Sequence, residues 1–313
     1  LQMPMFSPET EWIPPTHLPD LKDHKEIAID LETRDPGLKS SGSGSVNGNG
    51  EVVGIAVAVE GWSGYFPIAH EGGGNMDRAL VLDWFEEVLH TDATKIFHNA
   101  MYDVSWIRSM GFYIRSGVID TLIAASLIDE NRWGYALNAL GKQYVGVGKN
   151  EKILNDAAKS WGIDPKADMW RLPAPLVGEY AEQDAVLTLR LWHALQREIS
   201  SQDLWDVFNL ETNLFPCLID MKFKGVRVDA EKANLLKQEL IKEEKNIYRG
   251  IRKLIGFDVE IWAAASIAKA FDEVKLPYDR TEKGAPSFTK NFLATHPHEL
   301  PKAIANAREI NKA

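Results

Sequence analysis

The sequence is poor in cysteine and has no long apolar run. Its 313 residues include one cysteine, Cys217, which excludes an internal disulfide and a cysteine zinc cage. No stretch approaches the roughly 18 apolar residues that span a membrane, and the proline-rich N-terminus does not resemble a secretory signal. We therefore expect a cytoplasmic protein without a membrane partner. Cys217 lies among apolar residues and is predicted to belong to the core.

The sequence also lacks an excess of positive charge. Lysine and arginine number 35 against 45 aspartate and glutamate residues, which gives a net charge of −10. This balance argues against a broad surface that binds phosphates through basic side chains. It does not exclude a metal-dependent enzyme that acts on nucleic acid, because bound cations invert the local charge of an acidic site.

The order of the predicted elements indicates an α/β fold. The hydrophobic patterns predict strands at 26–32, 52–59, 65–68, 95–98 and 118–119, and helices at 77–89, from about 99, through the 120s to 160s, and at 174–199. Strands followed by alternating strands and helices are typical of a mixed central sheet that is flanked by helices.

Two further stretches differ in composition from this pattern. Residues 40–50 consist almost entirely of glycine, serine and asparagine, so the Gly37–Gly50 connection is predicted to be a flexible loop. From about residue 202 the pattern is mainly helical, at 204–223, 230–255 and 300–312, with a loop at 284–287. Because the chain stops in charged helical sequence, we expect part of a larger protein or one subunit of a divided one.

Paired carboxylates stand on the first predicted strand. Side chains alternate between the two faces of a strand, so Asp30 and Glu32 share one face while Ile29 and Leu31 point to the core on the other. Adjacent like charges repel each other, and a divalent cation would remove that cost. Two solvated charges at an exposed strand end remain the simpler explanation of this pair alone.

Two later segments carry the other candidate carboxylates. Asn99 is predicted to cap the helix that carries Asp103, whose charge also suits a helix N-terminus. Tyr180 and Asp184 lie four residues apart and share one face of the long helix, in line with an apolar stripe. A buried aspartate needs a cation. Either a metal ion or an arginine, Arg190 or Arg171, could supply it.

Taken together, these segments resemble the three motifs of the DEDD exonuclease superfamily. The motifs read Asp30-Leu31-Glu32, Asn99-Ala100-Met101-Tyr102-Asp103 and Tyr180-Ala181-Glu182-Gln183-Asp184. The tyrosine in the third motif is typical of the DEDDy branch, and Glu179 stands where the histidine branch has its histidine. The resemblance covers about residues 24–200 and implies a ribonuclease H-like fold with a mixed five-stranded sheet.

A second resemblance narrows the family. Residues 120–140 are similar to the proofreading domain of family A DNA polymerases, and residues 211–229, 284–287 and 307–309 are similar to the start and the thumb of their polymerase domain. The resemblance implies an extension at 1–23, an exonuclease domain at 24–200 and a thumb-like region at 201–313 without palm or fingers motifs. It also implies that the protein acts in the cytosol of a bacterium or of a phage-infected host. The polymerase activity would then come from a missing C-terminal domain or from a separate chain.

The family pattern also implies the chemistry. Two Mg²⁺ or Mn²⁺ ions would be held by Asp30, Glu32, Asp103 and Asp184, and Tyr180 would orient the attacking water at a DNA 3′ end. Thr33 and Asn99 are candidate contacts to the terminal nucleotide. Two alternatives stay open, an RNA-trimming exonuclease of the same branch and a non-catalytic module that binds a primer end or a polymerase subunit. The glycine-rich 141–149 lacks phosphate-loop spacing and is predicted to be a turn.

Overall fold

The computed structural model describes residues 8–313 and divides the chain into two compact units, with the boundary after Gly225. The first unit is built on a sheet of five strands: β1 (Glu26–Arg34), β2 (Glu51–Val59), β3 (Trp62–Pro67), β4 (Thr94–Phe97) and β5 (Val118–Asp120). Their spatial order is β3-β2-β1-β4-β5. The pairs β1–β2 and β2–β3 are antiparallel, whereas β1–β4 and β4–β5 are parallel. The predicted mixed five-stranded sheet is therefore confirmed.

Eight helices complete the described part of this unit. They are α1 (Gly44–Asn47), α2 (Arg78–His90), α3 (Ala100–Ser109), α4 (Thr121–Ile128), α5 (Leu137–Leu140), α6 (Lys152–Trp161), α7 (Gly178–Ser201) and α8 (Trp205–Lys224). A π-helical turn at Gly141–Val145 continues α5, and 3₁₀ turns lie at Met169–Arg171 and Ala174–Leu176. The two short 3₁₀ turns occupy the proline-containing sequence before α7, so α7 begins four residues later than its pattern predicted.

The sheet separates two hydrophobic cores. Ile27, Ile29 and Leu31 on β1 face one core together with α2 and α3, while Ala28 faces the other together with α7. The alternation predicted for β1 is therefore present, and Asp30 and Glu32 follow Ala28 on the side of α7. The long helix α7 packs across β1, β2 and β3 on that side. Strand and helix thus bring the first and third motifs to the same place.

The glycine-rich connection after β1 is more ordered than its composition predicted. It contains α1, in which Gly44 and Ser45 are buried. The Gly44 N–H donates to Asp35 Oδ1 at 3.0 Å, and a Cβ atom at Gly44 would lie 2.9 Å from the Trp106 ring. The backbone of Asn49, 2.3 Å from that Cβ position, and the Trp106 ring leave room only for glycine, so the prediction of a flexible loop was wrong for this part of the segment.

Cys217 was predicted to be a core residue, and the structure corrects this. It lies on α8 and is exposed. The buried face of α8 carries Phe208, Phe215 and Ile219, and Cys217, two residues from Phe215, points away from that face. The surrounding apolar sequence misled the prediction because apolar residues run round more than one side of this helix, so that Leu214 is itself 42% exposed.

The first unit includes more chain than the exonuclease-like motifs cover. Within it, α8 contacts α3, α4 and β5, although the sequence assigned residues 201–225 to the thumb-like region. At the other end, the Trp12 indole donates to Glu182 Oε1 at 2.9 Å, and residues 1–7 of the predicted extension lie outside the described residues. The three domain limits at 1–23, 24–200 and 201–313 stay predictions.

The second unit is mainly helical. It contains α9 (Ala230–Ile255), α10 (Ala264–Glu273), α11 (Lys290–Thr295) and α12 (Glu299–Lys312), with the short strands β6 (Asp279–Arg280) and β7 (Pro286–Ser287). Helices α9 and α12 pack together over a core that includes Phe271 and Leu300. The segment predicted as a loop at 284–287 is in part a strand of a small hairpin, because β6 and β7 pair antiparallel.

Candidate active site

Three of the predicted carboxylates meet beside the centre of the sheet. Asp30 and Glu32 on β1 and Asp184 on α7 each offer an oxygen atom, and these atoms lie within 4.8 Å of one another. Glu32 and Asp184 are buried, whereas Asp30 is partly exposed. Burying like charges this close together is costly without a cation. Their convergence therefore indicates a cation-binding site.

The fourth carboxylate is held in a different way. Asp103 lies in the first turn of α3 and is 5% exposed. Its Oδ1 accepts a hydrogen bond from the Leu31 N–H, 3.0 Å away. This bond joins α3 to the backbone between Asp30 and Glu32. Asp103 does not belong to the group of three within 4.8 Å, but it borders that group through β1.

The start of α3 corrects the predicted cap. Asn99 does precede the helix, but its backbone is left-handed, with φ 68° and ψ 53°, and its side chain makes no capping bond. The buried carboxylate of Asp120 accepts the N–H groups of Asn99, Ala100 and Leu122 at 2.8–2.9 Å instead. Asp120 at the end of β5 therefore sets where α3 begins, and with it the position of Asp103.

We expect Asp120→Ala to lower the free energy of unfolding by about 3 kcal/mol, because three N–H groups lose a charged, buried acceptor. Urea unfolding followed by tryptophan fluorescence measures this, since only Trp262 lies outside the first unit. The matched variant Asp120→Asn keeps one acceptor oxygen and should lose less. A loss below about 1 kcal/mol in the alanine variant would contradict the role assigned to Asp120.

Burial and mutual repulsion disturb the ionisation of all four carboxylates. Asp30 is partly exposed as a residue, but its carboxyl is enclosed, and burial together with the charge of Asp184 raises its pKa to about 7. Burial and the charge of Asp30 raise the pKa of Glu32 and of Asp103 well above their ordinary values. Burial also raises the pKa of Asp184, against the opposing effect of Lys149. Each of these shifts disfavours the charged form.

The raised pKa of Asp30 predicts how the stability of the cation-free protein depends on pH. A carboxyl whose pKa rises from 3.8 to about 7 on folding is neutral in the folded state across that interval. Its contribution to stability is complete below pH 4 and is lost as the pH rises through about 7. Asp30→Asn imitates the neutral form and should avoid this loss.

In the absence of divalent cations, we therefore expect Asp30→Asn to melt at least about 5 °C above the unchanged protein at pH 8, and at a similar temperature at pH 4. Thermal melting in a chelator across this range measures the difference. The exposed Asp83→Asn on α2 serves as the control and should show no such dependence. Equal melting temperatures at pH 8 would show that Asp30 is not held in its neutral form.

The residues present fit a divalent cation of the oxygen-binding class. Asp184 Oδ1 is buried and has no hydrogen-bond partner among residues 8–313. It belongs to the group of three carboxylates whose oxygen atoms lie within 4.8 Å of one another. Carboxylate oxygens are the ligands that Mg²⁺ and Mn²⁺ prefer, and the described group contains no thiolate or imidazole. An ion between these residues would satisfy the unpaired oxygen and offset the repulsion.

A lysine that the motif analysis missed enters this site. Lys149 Nζ forms an ion pair with Asp184 Oδ2 and also lies 3.4 Å from the Tyr180 hydroxyl. The sequence predicts a metal ion or an arginine, Arg190 or Arg171, as the partner of Asp184, but Arg171 pairs with Asp168. The lysine lies in the 141–149 segment, which was predicted to be a turn and not a phosphate loop. Part of this segment forms a π-helical turn. This glycine-rich segment has no hydrophobic periodicity from which the direction of the Lys149 side chain could be predicted.

Tyr180 lies beside both the lysine and Asp184. It is 9% exposed, and burial together with the charge of Glu32 raises the pKa of its hydroxyl well above the ordinary value. The hydroxyl therefore stays protonated and can donate a hydrogen bond at any pH at which the protein is folded. Its place next to Asp184 on α7 is the one that the spacing of the third motif predicted.

The site opens into a cleft of about 490 Å³. Its lining combines the carboxylates with polar and apolar side chains, namely Asp30, Leu31, Glu32, His98, Asn99, Leu122, Tyr135, Ala136, Leu137, Lys149, Tyr180 and Asp184. This volume suits a mononucleotide-sized ligand. Asn99 is exposed at the cleft. Thr33 is not part of the lining, and its hydroxyl lies 2.6 Å from the Tyr102 hydroxyl.

Comparison with known proteins shows which family the chain matches. A family described as 3′-5′ exonuclease matches residues 16–200. A DNA-directed DNA polymerase of Pseudomonas phage M6 is 34% identical over an alignment that covers the whole chain and 49% of that protein. DNA polymerase DpoZ of Salmonella phage PMBT28 is 29% identical, with 94% of this chain and 47% of the relative covered. The chain thus spans about half the length of these curated relatives.

The fold has a counterpart among solved structures. The polymerase domain of Pol1 from M. smegmatis, in complex with DNA primer-template and dNTP, aligns with a TM-score of 0.60 at 16% identity. The alignment covers 93% of this chain and 45% of that one. At this identity the likeness concerns the fold alone. None of the helices described between residues 8 and 313 is long and apolar enough to cross a membrane.

Proposed function

The chain belongs to the 3′–5′ exonuclease family of family A DNA polymerases, and from this membership we propose that it hydrolyses the terminal phosphodiester bond at a DNA 3′ end. The observation that carries the proposal is the meeting of Asp30, Glu32 and Asp184 within 4.8 Å at the open cleft, with Tyr180 beside them. A cation-dependent reaction accounts for so costly a cluster next to a nucleotide-sized opening.

We propose two divalent cations, Mg²⁺ or Mn²⁺, as the cofactors. Asp30, Glu32 and Asp184 would hold one, while Asp30 and Asp103 would hold the other, with Asp103 acting through water. When bound, such ions supply an activated water and stabilise the negative charge that develops on the departing 3′ oxygen. The protein contributes the fixed positions of the four carboxylates, which β1, α3 and α7 provide.

The neutral Tyr180 hydroxyl and the cleft residues would orient the reacting groups. Tyr180 would hydrogen-bond the attacking water, which its protonated hydroxyl can do. The Asn99 side chain, which no capping bond engages, would contact the terminal nucleotide. Thr33 would act on the site only indirectly, because its hydroxyl is hydrogen-bonded to that of Tyr102, the residue before Asp103.

We expect Tyr180→Phe to lower kcat by roughly 10- to 100-fold while KM for an oligonucleotide changes by less than about threefold, since only the orientation of the water is lost. Steady-state release of nucleotides measures both constants. Tyr113→Phe, at an exposed tyrosine away from the cleft, should leave both unchanged. An unchanged kcat in Tyr180→Phe would remove the tyrosine from the mechanism.

The relatives' names suggest the biological setting of this activity. They are DNA polymerases, and the chain matches about half of their length. We propose that the chain is the proofreading part of such an enzyme and acts on frayed or single-stranded 3′ ends. The polymerase motifs would then belong to a further C-terminal domain or to a separate chain.

Parallel degradation assays on single-stranded DNA, 3′-mispaired duplex and RNA of the same sequence test this proposal, beside a primer-extension assay. With Mg²⁺ or Mn²⁺ we expect DNA to lose nucleotides from its 3′ end at least about tenfold faster than RNA, and no extension by this chain. Faster loss from RNA would favour an RNA-trimming exonuclease. Cation binding without release of nucleotides from any substrate would favour a non-catalytic binding module.

A further inference from the structure

Lys149 contacts two residues of the proposed site but belongs to none of the three motifs. Its Nζ pairs with Asp184 Oδ2, lies 3.4 Å from the Tyr180 hydroxyl and stands 5.1 Å from the centroid of the Tyr180 ring. Its side chain is 14% exposed. Removing an ammonium group this far from water is costly unless it is paired. The lysine is therefore held here by the carboxylates.

The chain around Lys149 is built to aim it at this place. The Lys149 N–H donates to Asn138 Oδ1 at 3.0 Å, and the Asn150 N–H donates to Gln183 Oε1 at 2.7 Å. The second bond joins the segment to α7 one residue before Asp184. A Cβ atom at Gly148 would lie 2.5 Å from Lys142 Cε and 2.7 Å from Asn138 Oδ1, so a larger residue there would displace the side chain that holds the Lys149 N–H. The backbone at Lys149 cannot be shifted without breaking these contacts.

The ammonium group pairs with the same carboxylate that a bound cation would use, so the two positive charges would repel each other. Asp184 Oδ2 faces Lys149, while Oδ1 is buried without a partner in the described part of the chain. A single positive charge offsets only part of the repulsion among the carboxylates, whereas divalent cations would offset more. A divalent cation on Asp184 would repel the ammonium group, whose flexible stem leaves it in reach of the same cleft, which it lines. Lysine ammonium groups bind phosphate oxygens as point charges.

We propose that Lys149 is a positioning residue that holds Asp184 and Tyr180 in the cation-free site, gives up Asp184 to a divalent cation, and then binds a phosphate oxygen of the DNA. This inference rests on the proposed function and adds to it. It makes Lys149 a competitor of the metal and a partner of the nucleotide. Removal of the Lys149 charge should therefore strengthen the binding of the metal ion and weaken the binding of the nucleotide.

The test compares Lys149→Met with the full unchanged chain in two calorimetric titrations at pH 8. Without nucleotide, Mn²⁺ should bind Lys149→Met about tenfold more tightly, because a competing positive charge is gone. At saturating Mn²⁺, the product-like mononucleotide dTMP should bind about tenfold more weakly, because its phosphate loses an ammonium partner. Lys149→Arg keeps the charge and should stay within about threefold of the unchanged chain in Mn²⁺ affinity.

Lys152→Met supplies the matched control, since Lys152 is exposed three residues further along the chain and should change neither equilibrium. Circular dichroism confirms folding, and Lys149→Gln serves as a second neutral variant if Lys149→Met does not fold. Weaker binding of both Mn²⁺ and dTMP would indicate a merely structural lysine and overturn the proposal, as would two unchanged affinities. Failure of the proposed function itself would look different, because the unchanged chain would then release no nucleotides.

Discussion

Replacing Asp30 with alanine is expected to slow hydrolysis at the DNA 3′ end by at least about a thousandfold while the protein stays folded. Asp30 belongs to the group with Glu32 and Asp184 and lies on the strand whose next N–H is bound by Asp103. It is the one residue that both proposed cations share. Its removal therefore disturbs both cation positions at once and relieves repulsion in the cation-free fold.

The variant is measured by single-turnover release of nucleotides under saturating Mg²⁺ or Mn²⁺, with circular dichroism as the check on folding. Asp83→Ala on α2 is the matched control, because it removes an exposed carboxylate outside the cleft and should keep full activity. Retention of normal activity in Asp30→Ala would show that the site is assigned to the wrong residues. A loss in both variants would point to a general effect of charge.

Removal of divalent cations is expected to abolish activity in the unchanged protein and to lower its melting temperature by about 5 °C or more at pH 8. Without cations the carboxyls of Asp30, Glu32 and Asp184 are left buried and close together, and burial raises the pKa of each of them. Returning Mg²⁺ or Mn²⁺ should restore both the activity and the stability. Activity and thermal melting are measured in chelator and again after the ion is added.

The Asp30→Asn variant separates a specific effect of the cation from a general effect of ionic strength. Because one of the three carboxylates is gone, added Mn²⁺ should raise its melting temperature by less than about 2 °C. Monovalent salt at equal ionic strength should not restore the unchanged protein. Undiminished hydrolysis in excess chelator would contradict the proposal that divalent cations carry the reaction.

Local periodicity was enough to predict the face on which the β1 carboxylates lie. Ile29 and Leu31 alternate with Asp30 and Glu32, and the apolar pair is buried on the opposite side of the strand. The spacing of Tyr180 and Asp184 gave the shared face of α7 for the same kind of reason. A strand or helix repeats its geometry, so side-chain direction follows from position in the sequence.

Contacts between distant segments could not be read in this way. Asn99 is followed by the helix that the sequence predicted, yet the acceptor that caps this helix is Asp120, on another strand. Gly44 lies in a stretch that composition marks as flexible, yet it packs on Trp106. In each case the partner is more than 20 residues away, and nothing in the local pattern identifies it.

Lys149 is the residue in the cleft whose place depends most on a contact between distant segments. It follows glycines that set no period, and its partner Asp184 lies 35 residues further along the chain. The sequence did establish that a buried Asp184 would need a cation, but both arginines that it offered were the wrong partner. The need of a buried aspartate for a positively charged partner could be predicted from its residue type, whereas the identity of that partner could be found only from the fold.

The position of the label that is released from DNA tests the central claim most directly. Single-stranded DNA is labelled at either its 3′ or its 5′ terminal nucleotide and incubated with the unchanged chain and Mg²⁺ or Mn²⁺. We expect immediate release of the 3′ label as a mononucleotide, while the 5′ label stays in strands that shorten one nucleotide at a time. Release of the 5′ label first, internal cleavage, or no release with either ion would contradict a 3′–5′ exonuclease site formed by Asp30, Glu32, Asp103 and Asp184.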